Sequence, residues 1–463
     1  MARFPLPSVP SRLIDIEVAD SRRRGAPSAT LVPGKAGEVR NGEGEFRWQV
    51  GIGDGTEKDW RAAGAALVRA AQDEDGKPAK AVQVELTPEA DGHTVAGLTM
   101  GALLGGYQFK VSAESAPALQ TLRLLTPYER AVPAYAEIID RVRALAGAAT
   151  LARDLANTPS NIKNPQWLAE TAERVVEDVP GLRATIHDEV WLAEQRFGGV
   201  LAVGGGSVSP PRLIELAYRP RGATQHLLLV GKGITFDTGG LSIKPAQGMH
   251  LMRTDMAGGA AVIAATRAIA ALGLGIRVTA LVPAAENHVS GGSYRPGDVV
   301  RHYGGITTEV SNTDAEGRMV LADALVYGIR RFRPDAVVDV ATLTGAMKVA
   351  LGLRTGGLFA TDDELAGRLL AAGEQAGEAW WRMPLLEEHA DAVRGELADV
   401  RQAPGGPGGV TAALFLREFV DGVPWAHLDI AGPARAETTY AEVVPGATGF
   451  AARTLVELAA SYA

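Results

Sequence analysis

Between residues 227 and 343 short apolar runs alternate with helical patterns, and this rhythm restricts the chain more than any other feature. The run 227–230 is short, apolar and glycine-bounded, as a fully buried strand should be. A stretch rich in alanine and glycine follows up to Gly273, the pattern of a closely packed helix. The strand-like run 276–283 comes next. From Arg318 onward, apolar residues fall at Met319, Ala322, Leu325, Val326 and Ile329, the spacing of a helix with one buried stripe. A further strand-like run occupies 336–343. The repeated strand, helix, strand order predicts an α/β fold: a mostly parallel sheet flanked by helices.

In such sheets ligands bind at the carboxyl ends of strands, so charged residues leaving an apolar strand are candidates for chemistry. Lys232 and Asp237 follow the run 227–230. A lysine in that place either extends to solvent or stays in a dry site, where desolvation lowers its pKa until a neutral amine is available. Gly239 and Gly240 mark a turn that carries Lys244 back toward the same region. Asp255 stands just before the small-residue helix. The heptamer NTDAEGR at 312–318 places Asp314, Glu316 and Arg318 at the start of the next helix, where free N–H groups and the positive end of the macrodipole favour anions.

Each carboxylate alone reads as an ordinary helix cap. Together, Asp237, Asp255, Asp314 and Glu316 come from loops that the rhythm brings to one edge of one sheet, with Lys232 among them. Like charges held close raise one another's pKa, and desolvating each costs several kcal/mol, so divalent cations are the natural counter-charge. Two dications balance four carboxylates. Mainly oxygen donors with one nitrogen suit magnesium, manganese or zinc.

The segments GKGITFDTGGLSIK (231–244), MRTDM (252–256) and NTDAEGR (312–318) resemble the signatures of the leucyl aminopeptidase family, the two-metal M17 peptidases. Flanking stretches at 151–170, 201–218, 286–300, 341–346 and 425–432 extend the resemblance over 150–463. It implies a variable, oligomer-forming α/β domain at 1–148 and a catalytic domain at 149–463. It further implies that Lys232, Asp237, Asp255 and Glu316 hold the tighter of two metals, and that Asp237, Asp314 and Glu316, with the Asp314 carbonyl, hold the more exchangeable one. Lys244 is then aimed at the substrate carbonyl, and Arg318 holds a bicarbonate ion. Planar Arg beside a helix start suits such an oxyanion on physical grounds as well.

The implied reaction removes a Leu-like or other neutral N-terminal residue from a peptide with a free N-terminus. A hydroxide bridging two Mn2+ or Zn2+ ions, with Mg2+ as a third option, attacks the carbonyl while bicarbonate relays the proton. The substrate's amine lies near Asp255, and Met252, Thr342 and Leu343 line the pocket for its first side chain. The family also implies a homohexamer.

Three departures from the family pattern remove no ligand: Arg253 where lysine is common, His250 for an expected acid, and Gly432, Pro433, Ala434 and Arg435 for Gly-Thr-Ala-Trp. They bear on substrate preference and loop shape. His250 and His288 are expected on loop surfaces rather than as bases.

Composition narrows the remaining classes. With 463 residues and 46 % hydrophobic content, the chain has material for two or three domains. The absence of cysteine excludes disulfides, thiolate ligands and cysteine nucleophiles. No run approaches the ~20 apolar residues that span a bilayer, and the start lacks a hydrophobic signal core, so a cytoplasmic location is expected. Residues before 148 mix apolar runs at 81–86 and 107–111 with a helical segment at 60–71, an α/β pattern without catalytic motifs. DNA binding, a second class of function, gains nothing from a formal charge of −8. The triplet Arg22, Arg23 and Arg24 reads as a solvated loop.

Overall fold

The computed structural model describes residues 9–72, 79–111 and 118–463. It resolves into two compact units. One holds the chain up to 150 together with 436–446, and the other holds 151–435 with 447–463.

The first unit is built on a six-stranded sheet in the order Asp15–Ala19, Thr121–Leu125, Ala81–Glu85, Ser28–Val32, Phe46–Gly51, Val39–Asn41. All neighbours are parallel except the last pair. The helix Glu57–Gln72 buries Trp60, Leu67 and Val68 and packs against the helix Gly92–Gly105. Asp91 caps the latter by accepting from the Thr94 amide, one of the free donors that every helix start leaves. The apolar run 107–111 forms no strand: the helix before it ends at Gly105, capped by Gly106, and residues 107–111 follow as irregular loop. The returning segment 436–446 was not foreseen in the sequence. Arg69 ties it down by donating to the Ala441 carbonyl at 2.9 Å.

The second unit carries a nine-stranded sheet. Its main path runs Ala379–Arg382, Thr355–Ala360, Trp425–Asp429, Ala336–Ala341, His226–Gly231, Arg277–Asn287, Arg212–Tyr218, Leu182–His187, and Gly233–Asp237 pairs with the far end of Arg277–Asn287. The four strands from Trp425–Asp429 to Arg277–Asn287 are parallel. Antiparallel neighbours flank them.

The crossovers through the helices Ala257–Ala271 and Glu316–Phe332 place Arg277–Asn287 on one side of the central strand His226–Gly231 and Ala336–Ala341 on the other. That reversal of direction opens a crevice at the carboxyl ends of the strands, the usual place for a ligand in such folds. Leu228, Val230, Leu281, Met319, Leu325 and Val337 form part of one buried core beneath it. Each such side chain contributes about 1.5–3 kcal/mol by leaving water. Among the described residues no helix is long and apolar enough to cross a membrane.

Candidate active site

Lys232 is the first residue beyond the central strand, and its amide donates to the Val340 carbonyl at 3.0 Å. Its side chain is buried. The start of the helix Glu316–Phe332 can lie against it because residue 317 is glycine; a Cβ there would come within 2.6 Å of Lys232 Cε. Lys232 Nζ sits 2.8 Å from both Asp255 Oδ2 and Glu316 Oε1 and donates to the Thr342 carbonyl at 3.0 Å.

Of the two expected fates, extension to solvent is excluded by this burial. Burial alone would lower its pKa, but the carboxylates of Asp255, Glu316 and Asp237 outweigh that and hold it raised. In this arrangement Lys232 is an ammonium counter-charge.

Asp237 ends its strand, and its Oδ1 accepts from the Gly239 amide and from Asn287 Nδ2, each at 2.8 Å. Gly239 and Gly240 have φ of 85° and 64°, the left-handed region where glycine carries no Cβ penalty. The turn they form returns the chain so that the Lys244 amide donates to the Thr238 carbonyl at 2.9 Å. Lys244 Nζ then lies 2.7 Å from Asp237 Oδ2 and also pairs with Asp314. Its pKa follows the same pattern as that of Lys232, lowered by burial but raised overall by Asp237, Glu316 and Asp255.

Asp255 stands between the 3-10 helix Met249–Thr254 and the helix Ala257–Ala271, and accepts from Thr342 Oγ1 at 2.8 Å. Glu316 opens its own helix. Burial pushes the Asp255 carboxyl up to about 6, with Lys232 opposing and Asp237 adding. Burial and the nearby Asp237 push Glu316 up to about 8. The Asp314 carboxyl is raised as well, first by burial and then by Asp237.

One ligand atom from each of Asp237, Asp255 and Glu316 lies within 4.8 Å of the other two. Three buried carboxylates so close, offset by two ammonium groups, form a donor set that fits a hard divalent cation. Asp314 stands at the edge with its side chain 32 % exposed, joined to the group through Lys244. Arg318 is buried beside them. It donates from Nη1 to the Gln402 carbonyl at 2.6 Å, while its Nε–H finds no acceptor among the described residues. Burial lowers its pKa to about 10, against the pull of Glu316. A buried donor left without an acceptor is expensive, and a bound anion would satisfy it.

These groups open onto a cleft of about 310 Å³ that Met252, Thr342 and Leu343 also line. Lys348, Ala434 and Arg435 line it too and were not foreseen in that role. Nor were Asn287 and Gln402, which hold Asp237 and Arg318 from distant segments. His288 is exposed on a loop, as expected, whereas His250, also exposed, lies within the 3-10 helix Met249–Thr254. In the arginine triplet, Arg22 is engaged by Glu45 and Glu85, which diminishes it as a basic patch.

A cluster of buried carboxylates fit to hold a cation, at the switch point of an α/β sheet, is the sort of site a metal-dependent enzyme needs, and the comparisons with known proteins specify its kind. The profile of the cytosol aminopeptidase family, catalytic domain, matches residues 150–456. A probable cytosol aminopeptidase of Roseiflexus castenholzii is 48% identical over 383 residues, covering 81% of this chain and 77% of the relative. Another, from Streptomyces coelicolor, is 43% identical over 440 residues, covering 89% and 83%. Among solved structures, the bottromycin maturation enzyme BotP in complex with Mn aligns with a TM-score of 0.85 at 40% identity, over 94% of this chain and 99% of that one.

The chain belongs to the cytosol aminopeptidase family. It is a metal-dependent metallo-exopeptidase that hydrolyses peptides from the N-terminus, as the motif resemblance implied.

Proposed function

We propose that this enzyme removes neutral, Leu-like N-terminal residues, using two divalent metals and a bound bicarbonate. Lys232, Asp237, Asp255 and Glu316 hold the tighter metal in this reading, and Asp237, Glu316 and Asp314 hold the other. The observation that carries it is the convergence of three buried carboxylates within 4.8 Å beside an arginine with an unsatisfied Nε–H. Bound there, such metals supply Lewis-acid polarisation of the scissile carbonyl and a water nucleophile at neutral pH.

The chain's own residues do the rest. Asp255, already accepting from Thr342, orients the substrate's free amine. Lys244 Nζ swings from Asp237 and Asp314 to the carbonyl oxygen, where negative charge develops. Arg318 would offer its Nε–H to a bicarbonate ion, which when bound would supply a proton-accepting oxygen beside the attacking water. Met252, Thr342 and Leu343 meet the first side chain.

Manganese is the first metal to try, because the solved neighbour is a manganese complex; zinc and magnesium follow. The domain of residues 1–148 serves assembly into a homohexamer, the domain of residues 149–463 carries the chemistry, and the enzyme works in the cytoplasm, in keeping with relatives named cytosol aminopeptidases. The deciding experiment strips the protein with chelator, refills it with manganese, zinc or magnesium, and assays aminoacyl amides and dipeptides. Release of neutral N-terminal residues only after refilling is expected, whereas equal activity in the stripped protein refutes the reading. Light scattering tests the assembly, and a monomeric mass contradicts it.

A further inference from the structure

Lys163 has no part in the chemistry above, yet it is 0 % exposed. An ammonium taken out of water is costly unless partnered. Among the described residues no carboxylate lies within ion-pair distance of it. Its Nζ instead donates to the Arg253 carbonyl and sits 3.5 Å from the Thr235 carbonyl, which Ser160 Oγ engages at 2.7 Å. Burial, with Arg253 adding, lowers its pKa to about 7, and Asp255 opposes.

The two carbonyls occupy matching positions. Thr235 lies two residues before Asp237 on the strand Gly233–Asp237, and Arg253 lies two residues before Asp255 in the 3-10 helix Met249–Thr254. One buried lysine therefore fastens together the two backbone segments that deliver two of the carboxylates. A lysine that only plugged a gap in the core could be replaced by an apolar side chain of similar length. A lysine that sets the distance between two ligands could not.

We propose that Lys163 is a positioning residue for the metal centre, clamping the strand that ends in Asp237 to the 3-10 helix that leads to Asp255 so that both carboxylates face one cation. The inference rests on the ligand assignment given under the proposed function. Outer partners of metal ligands typically change affinity by roughly 10- to 100-fold when removed.

The test is Mn2+ binding to the chelator-stripped full-length protein by titration calorimetry, for wild type, Lys163→Met, Lys163→Gln and Asp255→Asn. Lys163→Met should weaken the tighter Mn2+ site by roughly 10- to 100-fold, with far-UV circular dichroism unchanged. Lys163→Gln, which keeps a donor for one carbonyl, should lose less. Mn2+ binding by Lys163→Met within about threefold of wild type overturns the clamp, provided Asp255→Asn loses binding. If Asp255→Asn binds Mn2+ normally, the ligand assignment fails and the clamp fails with it. Failure of both Lys163 variants to fold would make the ammonium a folding element and likewise overturn the proposal.

Discussion

Asn287 Nδ2 lies 2.8 Å from Asp237 Oδ1, and the same amide donates to the Thr313 carbonyl at 3.0 Å. With the Gly239 amide also on Oδ1, that oxygen is fully engaged, and Oδ2 is the one left facing Lys244 and the cleft. Asn287→Leu removes one of these two holds and leaves the Thr313 carbonyl without its amide donor. The expected result is a loss of roughly 10- to 100-fold in metal affinity, read by Mn2+ titration of the stripped protein. Unchanged affinity would mean that the Gly239 amide alone orients Asp237.

Lys244 and Arg318 should separate turnover from metal content. Lys244→Ala removes positive charge from a carboxylate cluster, so bound metal should stay constant or rise, while loss of an electrostatic donor at the developing oxyanion lowers kcat by about 10²–10³-fold. Arg318→Ala deletes the buried Nε–H and should slow turnover with metal content unchanged, partly restored by added bicarbonate. Metal analysis alongside steady-state kinetics decides this. Full activity in either variant removes that residue from the mechanism.

The pH response of stability should invert when metal is added. Burial raises the carboxyls of Asp255 to about 6 and of Glu316 to about 8, above the ~4 of an unfolded chain. Between pH ~4 and ~8 the folded, metal-free protein therefore holds protons that the unfolded chain has released, and its stability falls as pH rises. The raised lysines do not interfere, since their contribution is fully present below the ordinary lysine pKa of ~10.4. Metal needs these carboxylates ionised and Lys232 deprotonated, so its binding strengthens with pH and releases protons. The thermal midpoint in chelator should drop from about pH 5 to about pH 7, before the lowered Lys163 begins to oppose the trend, while the increment given by Mn2+ grows. Parallel curves with and without metal would refute the coupling.

The parts of the site that were legible in the sequence lie within short stretches whose local structure fixes direction. A strand end followed by a Gly-Gly turn delivers Lys232, Asp237 and Lys244, and a helix start delivers Glu316 and Arg318. The strand and helix rhythm also gave the central parallel sheet. Asn287, Gln402 and Lys163 were illegible because each acts across tens of residues, through a hydrogen bond that no local spacing encodes. The charge state of Lys232 was illegible for a related reason: desolvation and attraction oppose each other there, and only the distances of 2.8 Å to two carboxylates show which is larger. The segment 436–446 carries no compositional mark of its return to the first unit.

Beside apolar Met252, Leu343 and Ala434 stand the exposed Lys348 and the partly buried Arg435. Lys232 and Lys244 are matched to carboxylates, so the exposed Lys348 is a cation that an incoming charged side chain meets at the cleft lining. Two unit charges about 4 Å apart in water repel by about 1 kcal/mol, roughly fivefold in rate for each close approach. Peptides beginning with Lys or Arg should therefore be cleaved more slowly than those beginning with Leu or Met. Because the contact is near solvent, the gap should narrow as salt shortens the screening length. It should narrow as well in Lys348→Gln, with cleavage of Leu peptides little changed. A discrimination against basic residues that neither salt nor this substitution relieves would place its origin in the shape of the apolar wall instead of in this charge.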